Sequence, residues 1–389
     1  MKTYKSYKNY KRKVELGVML ANPFRPSFGV NPVVFVGRMQ FLRNFEFALK
    51  EGVGSPHRFT LIQGIRGTGK TALLNQMEAK AKETGWHVVR ARASESMVED
   101  LVQGQLPRIL NAIHPQTVDR SITNINVGGI GGLGVSVQQR FPEGHTLWTS
   151  LNEVSRILTE SGHGLLITMD ELQAAHPKDL HELSDAIQDS VRDGYNIALS
   201  FAGLPGEIIR LLEHPGTTFL RRATPITLGE ITDEDVSYAL DSTAKQGEKH
   251  FTTDALRLAT GYCHGYAFLI QLIGSIAWTM ATGDEITEAE VHDSLPLVIE
   301  RMGEMVHKPA LRNIPFRELD FLCTLAAMGE SARTSDIGEA MGISGSQPST
   351  YRRRLIDRGL LTPKSHGEVT FAMPYLREHI NQNAHLYRG

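Results

Sequence analysis

"RFTLIQGIRGTGKTALLNQMEAKA" occupies residues 58–81 and changes character twice along its length. Residues 59–63 are a short apolar run of β-prone type. They feed Gly64-Ile65-Arg66-Gly67-Thr68-Gly69-Lys70-Thr71, a full match to G-x-x-x-x-G-K-[ST]. From 72 to 81 helix formers dominate and the apolar residues recur at helical spacing. Strand, glycine loop and helix in this order build a phosphate cradle. Glycines let backbone N–H groups converge on phosphate oxygens, and the helix N-terminus adds partial positive charge. Gly64, Arg66, Gly67, Thr68 and Gly69, with Ala72 at the helix start, are the expected phosphate-binding positions. Lys70 is expected to reach the β and γ phosphates, and the Thr71 hydroxyl to ligate Mg²⁺.

A second glycine cluster competes for this role. In "NVGGIGGLGVSVQQR", residues 126–140, Gly129-Ile-Gly131-Gly-Leu-Gly134 fits the dinucleotide pattern G-x-G-x-x-G. That pattern needs a strand before it and a helix opening at its last glycine. Here "DRSITNIN" precedes it, and the alternating Val135-Ser-Val137 that follows reads as a strand or hairpin arm. The segment is expected to be a surface hairpin inserted near 115–145, between a helix ending near Ile113 and one starting near His145. Partner contact and an inert insertion are equally compatible with it.

A phosphate cradle that turns over its ligand needs acidic groups, and "GHGLLITMDELQAA" supplies them. Residues 165–169 form an unbroken apolar run, as in a strand buried on both faces of a parallel sheet, and end at Asp170-Glu171. Adjacent carboxylates there are costly unless something uses them, and the C-terminal edge is where open α/β sheets bind ligands. Asp170 is assigned to the magnesium shell and Glu171 to polarising the attacking water; capping the next helix is the structural alternative. "WHVVRARA" (86–93) and "NIALSFAG" (196–203) are further strand-like runs separated by helix-length segments. The expected fold class is therefore α/β, a doubly wound parallel sheet. Ser200, on the last of these runs, is a candidate γ-phosphate sensor or a serine hydrogen-bonded within the sheet.

The bulk composition fits a globular chain of two or three domains: 389 residues, 41% hydrophobic and 22% charged, which disfavours disorder and fibrous repeats. A net charge of −2 means that any nucleic-acid surface must be local. Two distant cysteines, Cys263 and Cys323, give neither a disulfide framework nor a zinc pattern. No apolar run reaches membrane-spanning length. A cytoplasmic protein with a flexible basic tail over 1–29, beginning "MKTYKSYKNYKRK", is the expectation.

With these motifs in place the chain resembles the AAA+ P-loop ATPases, in the branch of origin-recognition initiators, archaeal-type ATPases and STAND NTPases. "PVVFVGRMQFLRNFEFAL" (32–49) is similar to the Val-Gly-Arg-Glu box of that branch, with Met39 at the acidic position. The resemblance implies that Val36, Gly37 and Arg38 lie near an adenine, so that ATP is the nucleotide. It implies an arginine finger in "TTFLRRATPITLGEIT", with Arg221 and Arg222 as candidates, and a lid segment in "ATGYCHGYAFLIQLIG". There Ala267 stands where STAND proteins have proline and no sensor arginine is present, leaving His264 or Gly265 to approach the nucleotide. The implied organisation is an ATPase core over 30–229 and a helical lid over 230–305. Thr caps in "ITDEDV", "TTDAL" and "TEAEV" support the lid helices.

The last third resembles a winged helix-turn-helix domain over 316–389, with a supporting helix at 337–342, a recognition helix at 348–358 and a wing at 361–371. Ser349, Thr350, Arg352, Arg353 and Arg354 are candidate major-groove contacts, with Lys364 and His366 at the wing tip. Yet nine Lys/Arg face eight Asp/Glu over this stretch, a thin electrostatic footprint. Double-stranded DNA and a protein partner both remain open. The expected function is an ATP- and Mg²⁺-dependent switch that hydrolyses ATP, forms a homo-oligomer in the ATP state and contacts DNA. The alternatives are a STAND-like signalling ATPase whose winged helix binds protein or locks the core, and, least favoured, a small-molecule P-loop kinase.

Overall fold

In the computed structural model, residues 21–113, 145–213 and 215–387 are described. The glycine-rich segment 128–134 and the expected hairpin at 115–145 fall outside them, save for His145. The chain divides into two compact units. One comprises 39–64 and 73–228; the other gathers the described residues up to Arg38, the loop 65–72 and the chain from Gly229 onward.

The first unit is built on a five-stranded sheet. Its strands are β1 (Phe59–Gln63), β2 (His87–Arg90), β3 (Leu165–Met169), β4 (Ile197–Gly203) and β5 (Thr224–Thr227), in the spatial order β2-β3-β4-β1-β5. All neighbours pair in parallel. Every residue of β3 and β4 is buried, as their continuous apolar runs require of central strands. β5 sits at an edge and tolerates Pro225 there. The flanking helices bury one stripe each: Leu151, Val154 and Leu158 on Leu147–Glu160, and Leu180, Leu183 and Ile187 on Pro177–Arg192. Because β1 and β3 run parallel within one sheet, their C-terminal ends lie at the same edge. β1 ends there at Gln63 and β3 at Met169, just ahead of Asp170-Glu171.

The second unit is mainly helical. Asp233–Gln246, Thr253–Cys263, Ala267–Met280 and Glu288–Met302 are its first long helices, joined by the small parallel pair β6 (His250–Phe251) and β7 (Glu285–Ile286). The expected threonine caps are present on two of these helices: Thr232 Oγ1 accepts from the Asp235 N–H and Thr252 Oγ1 from the Ala255 N–H, both at 3.3 Å. At Thr287 the backbone N–H instead donates to Glu290 Oε2 at 2.9 Å. Helix Ala267–Met280 is apolar almost all round and correspondingly buried.

The C-terminal part follows as helix Phe316–Met328, β8 (Ser331–Arg333), helices Thr334–Ala340 and Gln347–Asp357, then β9 (Leu361–Ser365) and β10 (Glu368–Phe371). β10 pairs antiparallel with both β8 and β9; β8 is a strand that the sequence pattern does not announce. The lid and C-terminal regions, expected as separate bodies, share one apolar core running from Val236 to Ile380. They merge because Glu288–Met302 continues as helical turns to Leu311, placing Val306, Leu311 and Ile314 in that core. The basic tail expected over 1–29 is also corrected at its inner end. Phe24 is buried against Gly274, and the Asn22 amide donates to the Ser275 carbonyl at 2.9 Å.

The shared core carries a pH liability. His307 is fully buried, its Nε2 lies 2.9 Å from the Pro374 carbonyl, and its ring centroid is 5.3 Å from that of His379. Burial, then the charge of His379, lowers its pKa to about 3 against the opposing effect of the carbonyl. The folded state thus refuses a proton that the unfolded chain accepts near pH 6.5. The stability it confers is full above that pH and is lost as pH falls towards the folded value. Between pH 7 and pH 5 this one residue should remove about 2 kcal/mol. Urea unfolding at the two pH values checks it: His307→Asn should flatten the pH dependence by about that amount, and an unchanged slope would refute the assignment.

Candidate nucleotide-binding site

The glycine loop leaves β1 at Gln63 and ends in helix Lys70–Glu83. Gly67 and Gly69 hold φ of +77° and +94°, backbone conformations that only glycine adopts without strain. Thr68 Oγ1 donates to the Ile65 carbonyl at 2.9 Å and Lys70 Nζ donates to the same oxygen at 3.1 Å. Both residues are buried. Among the described residues, the N–H groups of Gly67, Thr68 and Gly69 have no acceptor. Three such donors ahead of a helix N-terminus, with a lysine ammonium in the same loop, suit a polyphosphate. Thr71 lies in the first turn of that helix.

Asp170 and Glu171 follow β3. Asp170 Oδ1 accepts from the Glu171 N–H at 2.9 Å, and the Gln173 side-chain amide donates to Glu171 Oε2. Glu171 has φ of +52°. Left-handed backbone at a non-glycine residue costs roughly 1–2 kcal/mol and concentrates at functional sites. Gln173 Oε1 also lies 3.4 Å from the Leu204 N–H, just past β4, so this glutamine joins the carboxylate to the end of the neighbouring strand. No group of three or more His, Cys, Asp or Glu suited to a metal occurs among the described residues.

The Val-Gly-Arg stretch packs on the segment that follows Gly229. Gly37 has φ of +70°, and a Cβ on it would stand 3.0 Å from Ile231 Cγ2. Arg38 is buried and donates to the Gly37 carbonyl at 3.2 Å and to the Gly229 carbonyl. Burial lowers its pKa while Asp235 opposes the shift. The Ile231 N–H in turn donates to the Gly265 carbonyl at 2.8 Å, and Val36 packs on the same apolar cluster.

Two candidates are corrected. Ser200 is wholly buried in mid-strand, in register with Thr60 and Thr168, and its hydroxyl accepts from Thr60 Oγ1 at 2.9 Å. It is a satisfied core serine three residues short of the strand end, which argues against a phosphate-sensing role. His264 is exposed, with φ of +47°, and its ring lies edge-on to Tyr375 at 5.3 Å.

The residue of this helical segment that does reach the loop is one the sequence pattern passes over. Tyr266 is buried, its hydroxyl donates to the Arg66 carbonyl, and the Phe268 N–H donates to the Gly67 carbonyl at 3.1 Å. Ala267 lies next to Gly69, whose added Cβ would stand 3.6 Å from the Ala267 Cβ. The C-terminal part touches the loop as well: a Cβ on Gly359 would stand 2.9 Å from Ile65 Cγ2.

Of the finger candidates, Arg221 donates to the Leu212 carbonyl, whereas the Arg222 side chain is exposed, with no hydrogen bond or ion pair among the described residues. On helix Gln347–Asp357, Ser349 and Arg353 are exposed and Thr350 and Arg352 half-buried. Arg354 is 3.3 Å from the buried carboxylate of Glu318. Lys364 donates to Ser331 Oγ at 2.9 Å and lies 3.6 Å from Glu368. His366 is exposed. Among the described residues no helix is long and apolar enough to cross a membrane.

Residues 34–199 match the AAA ATPase domain family, and residues 304–380 match a domain family of unknown function, DUF8462. No curated protein sequence matches the chain. Among solved structures, a Walker-type ATPase of Pyrococcus abyssi aligns with 14% identity and a TM-score of 0.63, over 89% of this chain and 96% of that one. The Aeropyrum pernix ORC2 protein in its ADPNP–ADP complexes aligns with 18% identity and a TM-score of 0.61, over 92% and 96%. At these identities the likeness establishes the fold, a P-loop NTPase core. The segment 34–199 is thus similar to the AAA ATPase domain family, within a chain that has this fold.

Proposed function

We propose that this chain is an ATP-driven switch: it binds ATP with Mg²⁺ at the loop 64–71, hydrolyses it, and passes the nucleotide state to its C-terminal part. The observation that carries the nucleotide reading is the row of acceptor-free N–H groups at Gly67, Thr68 and Gly69, at the end of β1. It is supported by the A. pernix neighbour, whose structure holds ADPNP and ADP. Lys70 neutralises the β and γ phosphates. Thr71 and Asp170 are the residues suited to Mg²⁺, which when bound would offset phosphate charge. Glu171 orients and polarises water. Val36, Gly37 and Arg38, set against Ile231 and Gly265, form the adenine side. Arg222, left unengaged, is the residue available to complete a neighbouring copy's site.

In this reading the core runs over 30–229, the lid over 230–305 and a winged helix over 316–389, which contacts double-stranded DNA through Arg352 and Arg353. Contact of Gly359 with Ile65 gives a direct route from the loop to that domain. Specific observations favour the second reading, a STAND-like switch in which this domain binds protein or locks the core. Arg354 is engaged by Glu318, Lys364 by Ser331 and Glu368, and the net charge of the region is near zero.

ATP turnover measured at rising protein concentration, with and without duplex DNA, separates the two. On the DNA reading, DNA stimulates turnover, and replacing Arg352 and Arg353 together by alanine weakens binding about tenfold or more. The slope of log affinity against log salt should become shallower by about two. No DNA binding, or binding indifferent to this double variant, favours the protein-binding switch.

A further inference from the structure

A phosphate loop of this kind needs something to hold it in its donor-inward form. We propose that Tyr266 is the positioning residue of this loop, clamping its outer face so that the Gly67 and Thr68 N–H groups are presented to phosphate. This rests on the reading of residues 64–71 as a nucleotide site.

A trans peptide is planar, and its carbonyl and N–H point in opposite directions. No cis peptide occurs among the described residues. The Arg66 carbonyl and the Gly67 N–H belong to one peptide unit, the Gly67 carbonyl and the Thr68 N–H to the next. Tyr266 Oη holds the first carbonyl and the Phe268 N–H holds the second, at 3.1 Å. Both N–H groups are thereby turned to the face of the loop opposite Tyr266, where neither meets an acceptor among the described residues. Free in solution, these peptides would rotate, and each bound phosphate would bear the cost of ordering them.

Chemistry and sterics at Tyr266 agree with this role. Burial raises the phenol pKa far above its ordinary value, so the hydroxyl remains a donor. The hydroxyl end of the ring abuts Gly67, where an added Cβ would stand 2.7 Å from Tyr266 Cζ; the loop must carry glycine there for the tyrosine to approach. The clamp is itself braced, because the Phe268 ring stacks on Phe28 with centroids 5.6 Å apart. A lid that carries Tyr266 and Phe268 at the start of helix Ala267–Met280 senses whether the loop has the form that phosphate requires.

Tyr266→Phe keeps the ring and deletes the donor. Calorimetric titration of the full chain with ADP, pyrophosphate and adenosine, for wild type and variant, tests the clamp. Expected is a three- to tenfold loss of affinity for ADP and for pyrophosphate, with adenosine unchanged, as for removal of one buried neutral hydrogen bond. Amide hydrogen exchange without nucleotide adds an independent readout: exchange should rise in 64–69 and not in the interior of 267–280. Equal losses for adenosine and ADP, or unchanged ADP affinity and unchanged exchange, overturn the clamp while wild-type ADP binding still stands. Wild-type protein that binds neither ADP nor pyrophosphate overturns the nucleotide reading and the clamp with it.

Discussion

Lys70→Ala should weaken ATP binding by at least about a hundredfold, while the protein keeps its fold. Lys70 is buried, and its ammonium lies 3.1 Å from the Ile65 carbonyl. An ammonium in such a site acts on a polyphosphate through little intervening water. Truncating one member of a buried, hydrogen-bonded charge pair costs about 2–5 kcal/mol; at 1.4 kcal/mol per tenfold, the middle of that range exceeds a hundredfold. Lys70 opens its helix, and alanine is the better helix former, so the substitution should leave the thermal midpoint nearly unchanged. Arginine should not rescue binding, since its planar fork differs from a compact point charge. Calorimetry with ATP decides the matter: wild-type affinity in a folded Lys70→Ala protein would remove the loop from the nucleotide site.

Glu171→Gln should separate binding from turnover. The change conserves shape and retains the backbone hydrogen bond from the residue 171 N–H to Asp170 Oδ1. It removes the charge and the capacity to accept a proton from water, an effect worth about 10²- to 10⁴-fold in rate for a positioned general base. ATP affinity should stay within about threefold, because Lys70, Thr71 and Asp170 are untouched. The left-handed backbone at this position is a conformation retained at a cost, as at sites where a side chain must be aimed. Single-turnover kinetics with radiolabelled ATP distinguishes the outcomes. Brisk hydrolysis by the glutamine variant would take the water-activating role from Glu171 and leave it as a structural partner of Gln173.

Much of the site is legible in the order of the residues alone, because its chemistry is local. A polyphosphate loop needs glycines at fixed offsets from a lysine and a threonine, with strand before and helix after, and all of this lies within 58–81. The carboxylate pair at the end of an apolar run is similarly self-announcing. The strands Leu165–Met169 and Ile197–Gly203 and the capped helices after Thr232 and Thr252 follow from period and end signals that span fewer than twenty residues.

Local pattern misleads where a side chain's partner is far away in the chain. Ser200 reads equally well as sensor or core serine until Thr60 is found beside it, 140 residues earlier. Arg221 and Arg222 are indistinguishable neighbours until one is seen bound to the Leu212 carbonyl. Arg354 belongs to a basic cluster in sequence, yet in space it faces Glu318. His264 and Tyr266 differ by two positions; one turns to Tyr375 and the other to Arg66, 200 residues away.

The α/β class, the phosphate loop and the acidic pair are thus written in the chain directly, since each is set by backbone geometry and short-range spacing. Folding in three dimensions was needed to bring Tyr266 to the Arg66 carbonyl, to leave some arginines available and engage others, and to merge the helices after Gly229 and the C-terminal region into one core. Those outcomes depend on long-range packing and on the pairing of buried polar groups, which no local pattern encodes.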